Sequence, residues 1–194
     1  MLRPRCLEPI FLKYTGAEGV PISTATQISL EQYLRTPFEP DAEYVGGEVQ
    51  ERNMGEYEHQ IAQREILLWF HLQDKGWQTR TIQEQRTRFS NGNVRVPDVS
   101  VWKRDVPVQA VFDRPQLIAV EVLSAEDRHS WVQEKIEDYR EFQVPNIWVV
   151  DPIKRLGWDC SDANWTRKER FEIAGSPIYL DLRDLFKELD AAEA

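Results

Sequence analysis

Three charged residues stand where the surrounding pattern calls for apolar ones, and together they could carry out metal-assisted cleavage of a phosphodiester. Glu121 interrupts the run Leu117-Ile118-Ala119-Val120-Glu121-Val122-Leu123. A carboxylate buried there costs roughly several kcal/mol unless it is hydrogen-bonded, neutralised or bound to a cation. Asp98 sits in Val94-Arg95-Val96-Pro97-Asp98-Val99, where alternation gives it the face of Val94 and Val96, directly after a proline that weakens the ladder. Lys135 emerges from helical arithmetic. At about 100° per residue, Trp131, Val132, Ile136, Tyr139 and Phe142 span an arc of about 140°, and Lys135 is the only charge inside it. Singly, each has a plainer explanation: an aspartate bonding a turn, a glutamate paired to an arginine, a lysine whose ammonium snorkels to water. Jointly they make chemical sense. Two carboxylates on adjacent strands can hold Mg²⁺, or Mn²⁺ in its place, and a nearby ammonium can orient water or steady developing negative charge.

The elements needed to bring the three together are legible in the pattern. Residues 117–123 read as a strand covered on both faces, 130–143 as a helix, and 146–151 as a second buried strand ending at Pro152, which is the order of a right-handed parallel crossover. Residues 94–102 read as one continuous strand. Upstream, 28–34 forms a short helical turn, and Gly46-Gly47 joins two strand pieces within 44–49. A long helix spans 57–75, its stripe made by Ile61, Ala62, Ile66, Leu68, Trp69 and Leu72, with Gly76 as its stop. Strands are expected at 77–81 and 85–89, with a hairpin at Asn91-Gly92. The tail gives strands at 156–160 and 170–173 and a closing helix at 182–189.

Pro97-Asp98, Glu121-Val122-Leu123-Ser124, Lys135 and Trp148-Val149-Val150-Asp151-Pro152 together resemble the Uma-two family of restriction-endonuclease-like domains, within the PD-(D/E)xK nuclease superfamily. The resemblance runs roughly from Ser29 to Phe186. It takes in Glu43-Tyr44-Val45-Gly46-Gly47-Glu48, which is similar to the family's opening acidic hairpin, His59-Gln60, and the late run 180–186. It implies an α/β fold of the mixed α+β kind, a restriction-endonuclease-like core with a central mixed sheet flanked by helices. It also implies Mg²⁺-dependent endonucleolytic cleavage of DNA, with Asp98 and Glu121 as metal-binding acids and Lys135 as the catalytic amine. The superfamily's usual lysine position falls on Leu123, so the resemblance shifts the amine to the following helix. Glu48 is expected to complete the catalytic set, and His59 to lie near it as a candidate DNA contact. Trp131 stands four residues before the lysine, where the family often has an acid. This feature favours the alternative, a nuclease-fold module that binds DNA or a protein partner without cutting.

Composition narrows the setting. The 194 residues fit one nuclease domain over 25–194 preceded by an extension over 1–24, and no apolar run approaches the length of a membrane span. A net charge of −9 argues against coating nucleic acid by bulk positive charge. Between Arg80 and Arg104, however, there is a local surplus of four positive charges, from which Arg86, Arg88 and Arg95 are candidate DNA contacts. Cys6 and Cys160 make neither a disulfide framework nor a zinc site, so a cytoplasmic protein is expected. One apparent site per chain suggests a homodimer for cutting both strands of a duplex. The chain lacks a G-x-x-x-x-G-K-[ST] loop, a G-x-G-x-x-G turn, an H-E-x-x-H pair and a G-x-S-x-G elbow, which disfavours unrelated nucleotide enzymes and hydrolases.

Overall fold

The computed structural model describes residues 26–38, 41–52, 55–125, 127 and 129–192. The expected extension over 1–24 lies outside the described residues, as does Cys6. The chain opens with β1 (Thr26–Gln27) and α1 (Leu30–Arg35), the latter closed at its N-terminus by a reciprocal Ser29–Gln32 capping box. β2 (Ala42–Val45) and β3 (Glu48–Glu51) form the expected hairpin, with Gly46 and Gly47 both at the positive φ that a two-residue turn demands. The long helix α2 (Tyr57–Trp77) runs through Gly76 and stops at Gln78, which takes the left-handed conformation. Asp74 then accepts bonds from Thr79 Oγ1, Thr81 Oγ1 and Thr81 N, tying the helix end to β4 (Thr79–Gln83). The expected 77–81 strand is therefore displaced by two residues.

β5 (Thr87–Arg88) and β6 (Val94–Arg95) pair across the Asn91-Gly92 turn. The expected strand over 94–102 is divided. β6 belongs to a five-stranded sheet ordered β1-β3-β2-β6-β5, whereas β7 (Val99–Lys103) enters a second sheet. Pro97 has no N–H to offer a ladder, and the Val96 amide and carbonyl bond instead to the side chains of Glu43 and Lys135. The second sheet continues through β8 (Ile118–Val122), then α3 (His129–Glu141), then β9 (Ile147–Asp151) parallel to β8, as the crossover pattern predicts. β10 (Leu156–Asp159) and β11 (Thr166–Arg167) extend it, giving the order β11-β10-β9-β8-β7-β4. β12 (Arg170–Glu172) and β13 (Tyr179–Asp181) form a two-stranded sheet leading into α4 (Leu182–Ala192).

The large sheet is mixed, with helices on both faces. Val99, Val101, Ile118, Val120, Val122, Trp148 and Val150 pack with Ala62, Ile66 and Phe70 of α2 and with Leu182, Leu185 and Leu189 of α4. On the other face Ala119, Ile147 and Val149 pack against Ile136 and Tyr139 of α3. Period-two alternation therefore sends Glu121 toward α3. Leu68 and Leu72 were expected in the buried stripe of α2 but are 43% and 75% exposed, because the buried line runs through Ala62, Ile66, Phe70 and Asp74. No helix among the described residues is long and apolar enough to cross a membrane.

Candidate functional site

Three strands and one helix converge where the two sheets meet. Asp98 occupies the step from the small sheet to the large one and is 4% exposed. Its Oδ2 accepts a 2.8 Å bond from the Val122 amide, which places the Asp98 carboxylate beside the strand position of Glu121. Glu121 Oε2 lies 2.8 Å from Lys135 Nζ, and Glu121 Oε1 accepts a bond from the Tyr139 hydroxyl one helical turn later on α3. The structure thus brings Asp98, Glu121 and Lys135 together, with the lysine turned inward from α3 toward the sheet.

Glu43 joins them. In β2 it points away from the Tyr33–Tyr44–Val94 cluster and toward α3. Its Oε1 is 2.9 Å from Lys135 Nζ and accepts the Val96 amide at 2.8 Å, while Oε2 takes Arg95 Nη1 at 3.0 Å. The lysine ammonium therefore has three acceptors around it, Glu121, Glu43 and the Val96 carbonyl at 3.1 Å. Glu48 is the acid of this hairpin that the sequence was expected to contribute to the catalytic set. It shares the Glu43 face of the hairpin but sits at its turn end, half-buried, and among the described residues it makes no ion pair with the cluster.

His59, in the first turn of α2, has Nε2 3.4 Å from Asp98 Oδ2. The bare backbone of Gly55 makes room for it, since a Cβ there would come within 2.2 Å of the imidazole Nδ1. Arg52, for which the sequence offers no signal beyond its charge, reaches Asp98 Oδ1 at 2.7 Å and Glu84 at 3.3 Å. Arg52 and His59 line a cleft of about 410 Å³ together with Gln60, Gln63, Arg64 and Glu84.

The arginines expected to touch DNA divide. Arg95 is 3% exposed and bonds Asp138 and Glu43, so it is a buried counter-ion and unavailable to phosphates. Arg86 is mostly covered, bonded to Asp41 and set over the rings of Tyr33 and Phe38. Arg88 is 45% exposed on its side chain, with Asp113 3.9 Å away.

Burial and charge set the protonation states in opposite directions. Burial raises Glu121 to about 7, outweighing the attraction of Lys135, and the neighbouring Asp98 and Glu43 carboxylates push the same way. Burial also opposes ionisation of Asp98, but the His59 hydrogen bond and the Lys135, His59 and Arg52 charges prevail and hold it at about 2. Glu43 is likewise lowered, its burial offset by Lys135 and Arg95. Lys135 and His59 are both raised, the acids around each overcoming desolvation.

Asp98 and Glu121 are hard oxygen donors set side by side, and a cation between them would relieve the burial that disfavours the Glu121 anion. No group of three histidine, cysteine, aspartate or glutamate side chains closes a cage among the described residues. That donor set fits an ion such as Mg²⁺, which keeps one or two protein carboxylates and completes its shell with water and substrate oxygens.

A family described as "putative restriction endonuclease", Uma2, matches residues 30–172. No curated protein matches the sequence. Among solved structures, a "putative nuclease belonging to DUF820" from Anabaena variabilis ATCC 29413 superposes with a TM-score of 0.69 at 21% identity, over 84% of this chain and 99% of that one. A chain of the DrdV–DNA complex gives a TM-score of 0.41 at 17% identity, over 66% of this chain and 10% of that one. The Anabaena likeness is one of fold.

Proposed function

Since the chain belongs to the Uma2 family of restriction-endonuclease-like proteins, we propose that it is a Mg²⁺-dependent endonuclease that hydrolyses DNA phosphodiester bonds, Mn²⁺ substituting for Mg²⁺. The observation that carries this reading is the convergence of two acids and an amine from distant segments: Lys135 Nζ lies 2.8 Å from Glu121, and Asp98 is bonded to the amide of the residue that follows Glu121. Asp98 and Glu121 would hold the ion, which when bound supplies Lewis-acid stabilisation at the phosphoryl group. The protein's own residues do the rest. Lys135 presents a fixed positive charge to the negative charge that develops as the phosphodiester is attacked. Glu43 and the Val96 carbonyl hold that ammonium in place, and His59 steadies the Asp98 carboxylate. Arg88, half-exposed on the small sheet, is the candidate phosphate contact among the three arginines. Two copies, each with one site, would act on the two strands of a duplex.

A second reading has an observation of its own. All three donor directions of the Lys135 ammonium are satisfied by protein acceptors, and both Asp98 and Glu121 accept protein donors on each oxygen. Such closure suits a nuclease-fold module that binds DNA or a protein partner without cutting. Incubation of purified protein with supercoiled plasmid and Mg²⁺ separates the two. Nicking that is lost on adding EDTA, and reduced at least about 100-fold in Asp98→Asn, Glu121→Gln and Lys135→Ala, is the expected outcome. Cleavage surviving in all three variants refutes the site; binding to plasmid with no cleavage in the parent protein supports the module.

A further inference from the structure

Asp98, the buried acid behind the cleft wall, is already covered by a cation of the protein's own. Arg52 places Nη2 2.7 Å from Asp98 Oδ1, while the other Asp98 oxygen is taken by the Val122 amide and His59. Its side chain is 16% exposed, so the guanidinium stands in the wall between the buried carboxylate and the open cleft. Its second tether is weak, a 3.3 Å contact from Nη1 to Glu84, which is itself 41% exposed on its side chain.

A guanidinium is a planar fork suited to a phosphodiester, and it cannot shed its charge to make room for another cation. A divalent ion at Asp98 and Arg52 on Oδ1 therefore repel one another. Resting on the nuclease reading, we propose that Arg52 is a phosphodiester-binding residue of this cleft, parked on Asp98 in the free protein, so that the nucleic-acid backbone and the divalent ion bind cooperatively. The backbone draws the fork off Asp98 and exposes the carboxylate to the ion; by linkage, the ion frees the fork for the backbone by the same factor. Arg64, half-exposed on the same cleft and ion-paired with Glu65, is a second guanidinium in its wall.

The test measures binding. Mn²⁺ affinity of the nucleic-acid-free protein, read by electron paramagnetic resonance, is expected to rise about tenfold in Arg52→Met, and this gain disappears when Asp98→Asn is added. Affinity for a fluorescent DNA duplex, read by anisotropy with and without the non-catalytic ion Ca²⁺, should improve with Ca²⁺ in the parent protein by about five-fold or more and lose that dependence in Arg52→Met. Equal Mn²⁺ affinities in the parent and Arg52→Met overturn the proposal, as does an unchanged Ca²⁺ effect. Should Arg52→Met misfold, the side-chain Nε–H resonance of Arg52 in the parent protein serves instead: it should shift when duplex is added without metal, and a fixed resonance at saturating duplex overturns the proposal. Absence of cleavage with the coupling intact removes the nuclease reading alone, and cleavage without coupling removes this one alone.

Discussion

Glu121 and Asp98 are neighbours with opposite titration behaviour, and stability should report it. A carboxyl raised to about 7 in the folded protein from an ordinary 4.5 disfavours folding as pH rises through that window, because the unfolded chain ionises first. Glu121→Gln should therefore match the parent near pH 4.5 and gain on it by as much as about 3 kcal/mol at pH 7 and above. Urea denaturation across this range checks it, and a difference independent of pH would place the Glu121 proton elsewhere. Asp98 runs the other way: held at about 2, its contribution is present above 3.8 and lost as pH falls toward 2. Asp98, Glu121 and Lys135 were legible in the sequence because each contrasts with apolar neighbours at a known period. Arg52 and Glu43 were not. Their meaning comes from partners 46 and more than 50 positions away, Asp98 for one and Arg95 for the other, and no local pattern encodes such pairings.

At the level of elements, a second buried acid besides Glu43 joins helix α3 to the small sheet. Asp138 accepts from Arg95 Nε at 2.5 Å and from the amides of Asn91 and Asn93 in the β5–β6 turn. Asp138→Ala removes the shortest of the Arg95 guanidinium's carboxylate contacts while Glu43 and Glu134 remain, so a loss of about 2 kcal/mol is expected in chemical denaturation, with the turn loosened in hydrogen exchange. The helical arc put Asp138 outside the core because it lies about 20° beyond the edge of the apolar set. A second sheet covering that flank decides its burial, and amphipathicity reads only one partner surface. For the same reason Trp131, inside the arc, is 51% exposed. The parallel crossover and both glycine hairpins were legible since turn chemistry is local. The division of the 94–102 run between two sheets was not, although Pro97 marks where it happens.

For the molecule as a whole, the expected two-fold pair predicts a dimer in sedimentation equilibrium at micromolar concentration in the presence of duplex DNA; a single protomer on each duplex would remove that arrangement. The basic stretch illustrates how summed charge misleads. Arg95 is spent internally, Arg86 largely so, and only part of the surplus faces solvent. A last consequence follows from the step at Val96–Asp98. Glu43, one of the lysine's tethers, rides on the small sheet, whereas Glu121 rides on the large one, and Lys135 is clasped between them. The amine is thus a gauge of how the two sheets are seated: any ligand that pries them apart lengthens one of its contacts, and any that clamps them together fixes the spacing between Glu43 and Glu121.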